Sequence, residues 1–422
     1  MSFGTALTGL NAASEALKVT GNNIANSGTT GFKSSRTEFG DIYATAYGGI
    51  SNKAIGNGVQ LQAVTQQFTQ GNLENTGNTL DLAISGKGFM TFSDNGSQVY
   101  SRAGALEVDR NGYLVNANGQ RLQVYSPINA TASNPTFNLG SLSDLQLSTN
   151  AGPPQATTQV SALLNLSASA PDLGAGAINT ADPTTYTYST PATIYDSLGS
   201  PHTAIYYFRK DTTTPATVAT PGSTTWQVLT QVDGTTVTTG GANQATISFD
   251  DNGNLTAPAS GQIAYDPYAP TTGAAAINMS LDLTGSTMFG DNSSVNSLTQ
   301  DGYTSGRLSG LDVSGDGVIS ARYTNGQSQA LGQVALADFT NPQGLQPLGN
   351  TTWGQTYASG DVRQGAPGSG SFGQIQSGSL ENSNVDISKQ LVDLITEQRN
   401  FQANAQVITT SNAVTQTIIN IR

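Results

Sequence analysis

Both ends of this chain carry apolar residues at alternating steps of three and four, and the long middle between them is patterned as β. Near the N-terminus Phe3, Leu7, Leu10, Leu17 and Ile24 keep this spacing, with Ser14 and Gly21 in the remaining slots. Phe3, Leu10, Leu17 and Ile24 fall seven apart, the seam of a helix that packs on other helices. Small residues at Ala6, Ala12, Ala13 and Ala16 allow close approach. At the other end Ile387, Leu391, Leu394, Gln398, Phe401, Ala405, Ile408, Asn412, Thr415 and Ile419 hold the alternation to the last turn. The pattern predicts a helix over about 385–420, roughly 50 Å long at about 1.5 Å per residue. Ser383, three residues before Asp386, predicts a capping box at its start.

A helix with one narrow apolar stripe has no domain of its own in which to bury it. The two ends can pair as a hairpin and can also pack on copies of themselves; both are expected together. Polar Gln398, Asn412 and Thr415 in seam slots weaken a purely internal zipper and can set register in an assembly. Alone, such stripes cannot offset the ordering entropy, so these segments are expected to be disordered before assembly.

The middle reads as strands and turns. Asn111-Gly112 and Asn118-Gly119 lie between short alternating segments, a strong hairpin signal. Further hairpins are predicted over 194–208 and 311–324, with a turn at Asp251-Asn252-Gly253 and an apolar strand from Leu331 to Phe339. A region rich in Pro and Thr opens an inserted β domain at 150–284. The glycine-rich run 365–378 reads as a flexible connector. The expected fold is mainly β with terminal α-helices, a nested, elongated, multi-domain chain. Its parts are a helical core domain from 1–30 and 380–422, connecting segments at 31–72 and 370–379, an inner β body from 73–149 and 285–369, and the insertion at 150–284.

Composition removes several function classes. Charged residues make up 10% of the chain, against about 25% in ordinary soluble domains. Neutral polar and small residues therefore carry the surface. With no cysteine, Cys-ligated metal sites, disulfides and thiol chemistry are out. A net charge of −12 and no basic run argue against nucleic acid and anionic lipid. No apolar run is long enough to span a bilayer, and the N-terminus lacks the basic and apolar regions of a secretory signal.

Candidate chemistry fails in context. Gly368-Ser369-Gly370-Ser371-Phe372-Gly373 matches a dinucleotide fingerprint but has no helix opening at its third glycine. Asp312, Ser314 and Asp316 begin a calcium-like loop, yet Tyr323 stands where the bidentate carboxylate belongs. His202 is the only histidine, and a hydrogen-bonded role in a turn is its default. Asp196, Asp233, Asp250 and Asp251 sit in turn-like contexts, where Asp supports the turn. No catalytic, cofactor or metal residue is assigned, and the chain is not expected to be an enzyme.

The ends hold more specific motifs. The run from Asn22 through Ala25, Asn26, Ser27, Gly31, Phe32 and Lys33 resembles the N-terminal signature of the bacterial flagellar rod and hook (axial) protein family. Asn384, Val385 and Asp386, followed by Leu391 to Ile395 and by Gln398 and Arg399, resemble its C-terminal signature. Leu80 to Phe89 and Tyr100 to Gly104 are similar to its shared inner segment. Length and the 150–284 insertion place the chain beside the hook members rather than the shorter rod members. Residues 46–57 look longer than the family minimum.

The resemblance implies a self-assembling hook subunit forming a flexible curved tube, a universal joint carrying motor torque from rod to filament. Phe3, Leu7, Leu10, Leu17, Ile24, Leu391, Leu394, Phe401, Ile408 and Ile419 would pack the polymer core. It implies export through the flagellar apparatus without a cleaved signal, and an extracellular flagellar location. The implied partners are further copies of the chain, the distal rod protein, the hook cap protein and the hook–filament junction protein. No nucleic acid, membrane insertion or cofactor is implied. The competing readings are a distal rod subunit and, in a different class, an extracellular adhesin or carbohydrate-binding β protein.

Overall fold

The computed structural model describes residues 3–42, 56–131, 134–147, 151–217 and 222–420. Most of the lengthened segment at 46–57 therefore lies outside the described residues. The chain forms two compact units, the second interrupting the first: Met1–Thr149, Ser309–Arg322 and Ser328–Arg422 make one, and Asn150–Leu308 with Tyr323–Gln327 makes the other.

The first unit contains both terminal helices, α1 (Phe3–Ala25) and α2 (Ile387–Asn420), as the end patterns predict. A hairpin of β1 (Ser35–Asp41) and β2 (Val59–Gln66) lies against α1. The body is built on a mainly antiparallel sheet whose central path runs Ser328–Val334, Arg121–Pro127, Phe89–Asp94 and Ser97–Ser101. Its core gathers Leu82, Ile84, Met90, Phe92, Leu114, Leu122, Val124, Ile319, Val334 and Leu336. The Asn-Gly turns form where expected: Gly112 and Gly119 take φ of 84° and 76°, backbone that glycine adopts without a Cβ clash. Leu106–Val108, Leu114–Asn116 and Arg121–Pro127 run antiparallel around them.

The second unit has a sheet centred on Tyr188–Tyr195, Pro201–Thr214, Ser223–Val232 and Ala245–Asp250. A second sheet is built around Gln159–Ser167. Alternating side chains of both enter one core, with Val160, Leu164, Ile194, Phe208, Trp226, Phe249 and Leu281.

Three sequence expectations need correction. The insertion does not close at 284, because Ser294–Gln300 pairs antiparallel with Gln159–Ser167, Val160 opposite Gln300, and carries the unit to Leu308. The run 365–378 is not a slack connector: Gln374–Ser377 pairs with Leu82–Ser85, Ile375 is buried, and Phe372 packs on the same core. Ser383 does not cap α2. Asp386 does, its Oδ1 accepting the Lys389 N–H at 3.1 Å, while Ser383 Oγ accepts from Val385 N at 3.3 Å.

Candidate assembly interface

The two helices pack antiparallel, but the most buried line of α1 is not the stripe that bulk alone singles out. On α1 the buried residues are Ala6, Ala13, Ala16, Thr20 and Asn23. With Gly9 they form a second line of alternating three and four steps, one residue, or about 100°, round the helix from Leu7, Leu10, Leu17 and Ile24. A Cβ at Gly9 would stand 2.7 Å from Asn404 Oδ1, so the small face is what admits α2. On α2 the inward line is Gln390, Leu394, Glu397, Phe401, Asn404, Ile408 and Ser411, each half-buried.

Polar groups fix the register. Thr20 Oγ1 donates to Glu397 Oε1 at 3.0 Å. Asn23 Nδ2 donates to Gln390 Oε1 at 3.1 Å and to Ser35 O at 2.8 Å, tying α1 to both α2 and β1. Burial, with added repulsion from Asp393, pushes the Glu397 carboxyl above its usual range against the pull of Thr20.

The proposed core-packing residues divide accordingly. Leu10, Leu17, Ile24, Leu394, Phe401 and Ile408 are half-buried in the single chain. Phe3, Leu7, Leu391 and Ile419 are exposed, and so are Ile387, Val392, Ile395, Val414 and Ile418. The expected stripe is thus only partly used within one chain, and its bulkiest edges face outward. A groove of about 570 Å³ lies between the helices and the hairpin, lined by Gly9, Ala13, Ala16, Phe39, Glu397 and Asn400 among others.

The N- and C-terminal signature residues are joints of the chain. Ala25 ends α1, and Asn26 Nδ2 closes on Asn22 O at 2.9 Å. Ser27 N donates to Ile24 O at 3.2 Å, continuing the turn. Gly31, at φ 69°, donates to Glu381 O at 2.7 Å, and a Cβ there would stand 2.6 Å from Ala103 N. Asn384 receives Ser34 N–H at 2.7 Å and donates to Gln67 O at 2.7 Å, and its own N–H reaches Phe32 O at 3.4 Å. Val385 is half-buried beside it, while Gln398 and Arg399 lie exposed on α2.

Lys33 is fully buried, with Nζ 2.5 Å from Glu381 Oε1 and 2.8 Å from Thr69 O. Arg102 Nη1 meets the other carboxylate oxygen at 3.1 Å. Burial pushes the Lys33 ammonium below its usual range, and the Glu381 charge opposes that push. The cluster knits residues near 33, 102 and 381 at one point. Sequence reasoning missed Glu381 as the centre of this joint; the signal available was its position after a long stretch without Glu and just before the C-terminal signature.

Comparison with known proteins follows this anatomy. Residues 3–33 match the flagella basal body rod protein family, 83–152 the flagellar hook protein FlgE/F/G D1 domain, 163–303 the flagellar basal body protein FlaE D2 domain, and 376–421 the flagellar basal body rod FlgEFG protein C-terminal family. These matches define an axial protein of the bacterial flagellum. Flagellar hook protein FlgE of Salmonella typhimurium and that of Escherichia coli are each 37% identical over 428 residues, covering 100% of both chains. The Borreliella burgdorferi hook protein is 32% identical over 449 residues, covering 99% of this chain and 98% of its own. The chain belongs to the flagellar hook protein family. The crystal structure of Helicobacter pylori flagellar hook protein FlgE2 shares the fold, with a TM-score of 0.54 at 16% identity over 73% of this chain and 100% of that one. No helix among the described residues is long and apolar enough to cross a membrane.

Proposed function

We infer that the chain is the repeating subunit of a flagellar hook, polymerising through its terminal helices into a curved tube that transmits torque from rod to filament. One observation carries the reading: the helix pair closes a small and polar face of α1 on the mixed face of α2 that holds Leu394, Phe401 and Ile408, and leaves Phe3, Leu7, Leu391, Val392, Ile395 and Ile419 outward. Exposed apolar edges of this kind mark a surface completed by another molecule, and further copies present the same edges. In this reading 1–30 and 380–422 serve as the core zone, and the β units lie outside it. The distal rod, hook cap and hook–filament junction proteins and the export apparatus are the partners the family role calls for.

A bending tube requires subunits that shift against one another as it turns. A surface of neutral polar groups favours wet contacts that slide, whereas ion pairs desolvated within a contact resist breaking. Because 374–377 is a paired strand, the give in such a tube falls to contacts between copies rather than to slack at 365–378. Electron microscopy of the concentrated full chain tests the role. Curved tubes support it, straight rods favour a distal rod subunit, and a chain that stays monomeric returns the adhesin reading.

A further inference from the structure

Charge is scarce on the two helices, and its placement singles out one pair. They carry Glu15, Lys18, Lys389, Asp393, Glu397 and Arg399. Glu15 and Lys18 satisfy each other at 2.8 Å. Glu397 stands in the helix seam and on the wall of the 570 Å³ groove. Its Oε1 accepts from Thr20, but its Oε2 is enclosed and has no hydrogen-bond partner among the described residues. A carboxylate oxygen held from water without a donor is costly, by more than a neutral acceptor would be. Arg399, two residues on, is exposed and makes no hydrogen bond or ion pair among the described residues. Two helical steps place Glu397 and Arg399 about 200° apart, on opposite faces of α2. Lys389 differs, since it lines the recess beside Gln390, Asp393 and Glu397 on the seam side.

We propose that Arg399 of one copy enters the groove of a neighbouring copy and pairs with Glu397. Donor and acceptor on opposite faces of one helix make a head-to-tail contact: each copy gives Arg399 to one neighbour and receives another at Glu397. Contacts of that type exclude closed two-fold dimers and generate rings or, where the rotation does not close, open helical arrays. The occupant is matched by charge, a planar guanidinium for an unpaired carboxylate oxygen. Asn400 and Asn404 on the groove wall offer amide oxygens for its remaining N–H groups. Docking rotates the Glu397 carboxylate so that Oε2 faces the groove. The pairing also sets polarity, because two like faces brought together repel or leave the groove unfilled.

This pairing rests on the self-assembly reading, and a charge-complementation experiment separates the two. Arg399→Glu and Glu397→Arg full-length chains are purified, checked for wild-type helix content and melting, and polymerised separately and as an equimolar mixture. A neutral crowder at low salt is used to avoid screening. Each variant alone should need about tenfold or more the wild-type critical concentration, since its faces then carry like charges. The mixture should recover assembly, because Glu at 399 of one chain meets Arg at 397 of the other and the reverse contact keeps its natural charges. Arg399→Glu assembling at the wild-type concentration overturns the pairing, as does a folded mixture that gains nothing over its components. If Glu397→Arg disturbs the helix pair, Glu397→Gln and Arg399→Gln take its place. The double variant should then be no worse than the weaker single, and additive losses overturn the pairing. A wild-type chain that never polymerises overturns the assembly reading itself.

Discussion

His202 offers a prediction that depends on no assembly. It lies buried on Pro201–Thr214, with Nδ1 2.5 Å from Asp233 Oδ2 and Nε2 3.2 Å from Asp196 Oδ2. Carboxylates only accept, so both ring nitrogens can donate only as imidazolium. Tyr268 packs its ring at 6.3 Å, and Thr272 donates to the same Asp196 oxygen at 2.7 Å. Burial works against the His202 charge, but the two aspartates outweigh it and raise the imidazole above its ordinary 6.5. Burial likewise works against the Asp196 charge, yet hydrogen bonds from Thr272, Ser200 N, His202 and Leu198 N hold it at about 2. The raised histidine stabilises the fold fully below about pH 6.5, and that part is lost as pH rises through its folded value. The depressed aspartates stabilise above about pH 4, and their part is lost as pH falls through their folded values, about 2 for Asp196. The cluster is therefore strongest between these limits. Asp233→Asn should lower the His202 midpoint. A charge-assisted hydrogen bond contributes about 1.5–3 kcal/mol, and the side chain of Asp233 is 42% exposed and so partly screened. A loss of about 1–2 kcal/mol near pH 6 follows, or about 2–4 °C per kcal/mol in a unit of this size. With one histidine in the chain, a single imidazole Hε1 resonance reports the titration, and calorimetry against pH reports the stability. A parent midpoint at or below 6.5, or one unmoved by Asp233→Asn, refutes the reasoning.

Three further outcomes follow from the first unit. Gly31→Ala forces a Cβ to 2.6 Å from Ala103 N at positive φ, and should cost at least about 2 kcal/mol by urea denaturation. Glu381→Gln leaves Lys33 and Arg102 without their shared carboxylate, and should cost about 3–5 kcal/mol; an unchanged midpoint would show the joint is not held electrostatically. Leu7→Ser and Leu391→Ser alter exposed edges, so melting should move by no more than about 0.5 kcal/mol while the critical concentration for assembly rises, a contrast read by scattering beside circular dichroism.

How far the fold was legible follows the range of the interactions. Turns at Gly112 and Gly119 were legible because a few neighbouring residues determine them. Both helices were legible from period, and Ala6, Ala13 and Ala16 from their size, but the full line that they share with Gly9, Thr20 and Asn23 was not. Ala6, Gly9, Ala13, Ala16, Thr20 and Asn23 share the spacing of the Leu7 line, and close approach selects small residues where hydrophobicity selects large ones. Glycine content hid the strand at Gln374–Ser377, since Ile375 and Phe372 find their core only through Leu82–Ser85. The end of the second unit depends on Val160 meeting Gln300, a pairing no local pattern announces. Lys33 and Asn384 were visible through the family resemblance, whereas Glu381 gained meaning only when residues near 33, 102 and 381 came together. His202 was visible as a lone histidine and Asp196 and Asp233 as turn aspartates, but their meeting was not.

Electron microscopy of two preparations, the full chain and a chain ending at residue 386, tests the terminal-helix account most directly. The account predicts curved tubes from the full chain and none from the shortened one, with the strand-rich circular dichroism of the β units retained in both. Tubes formed by the shortened chain would contradict it.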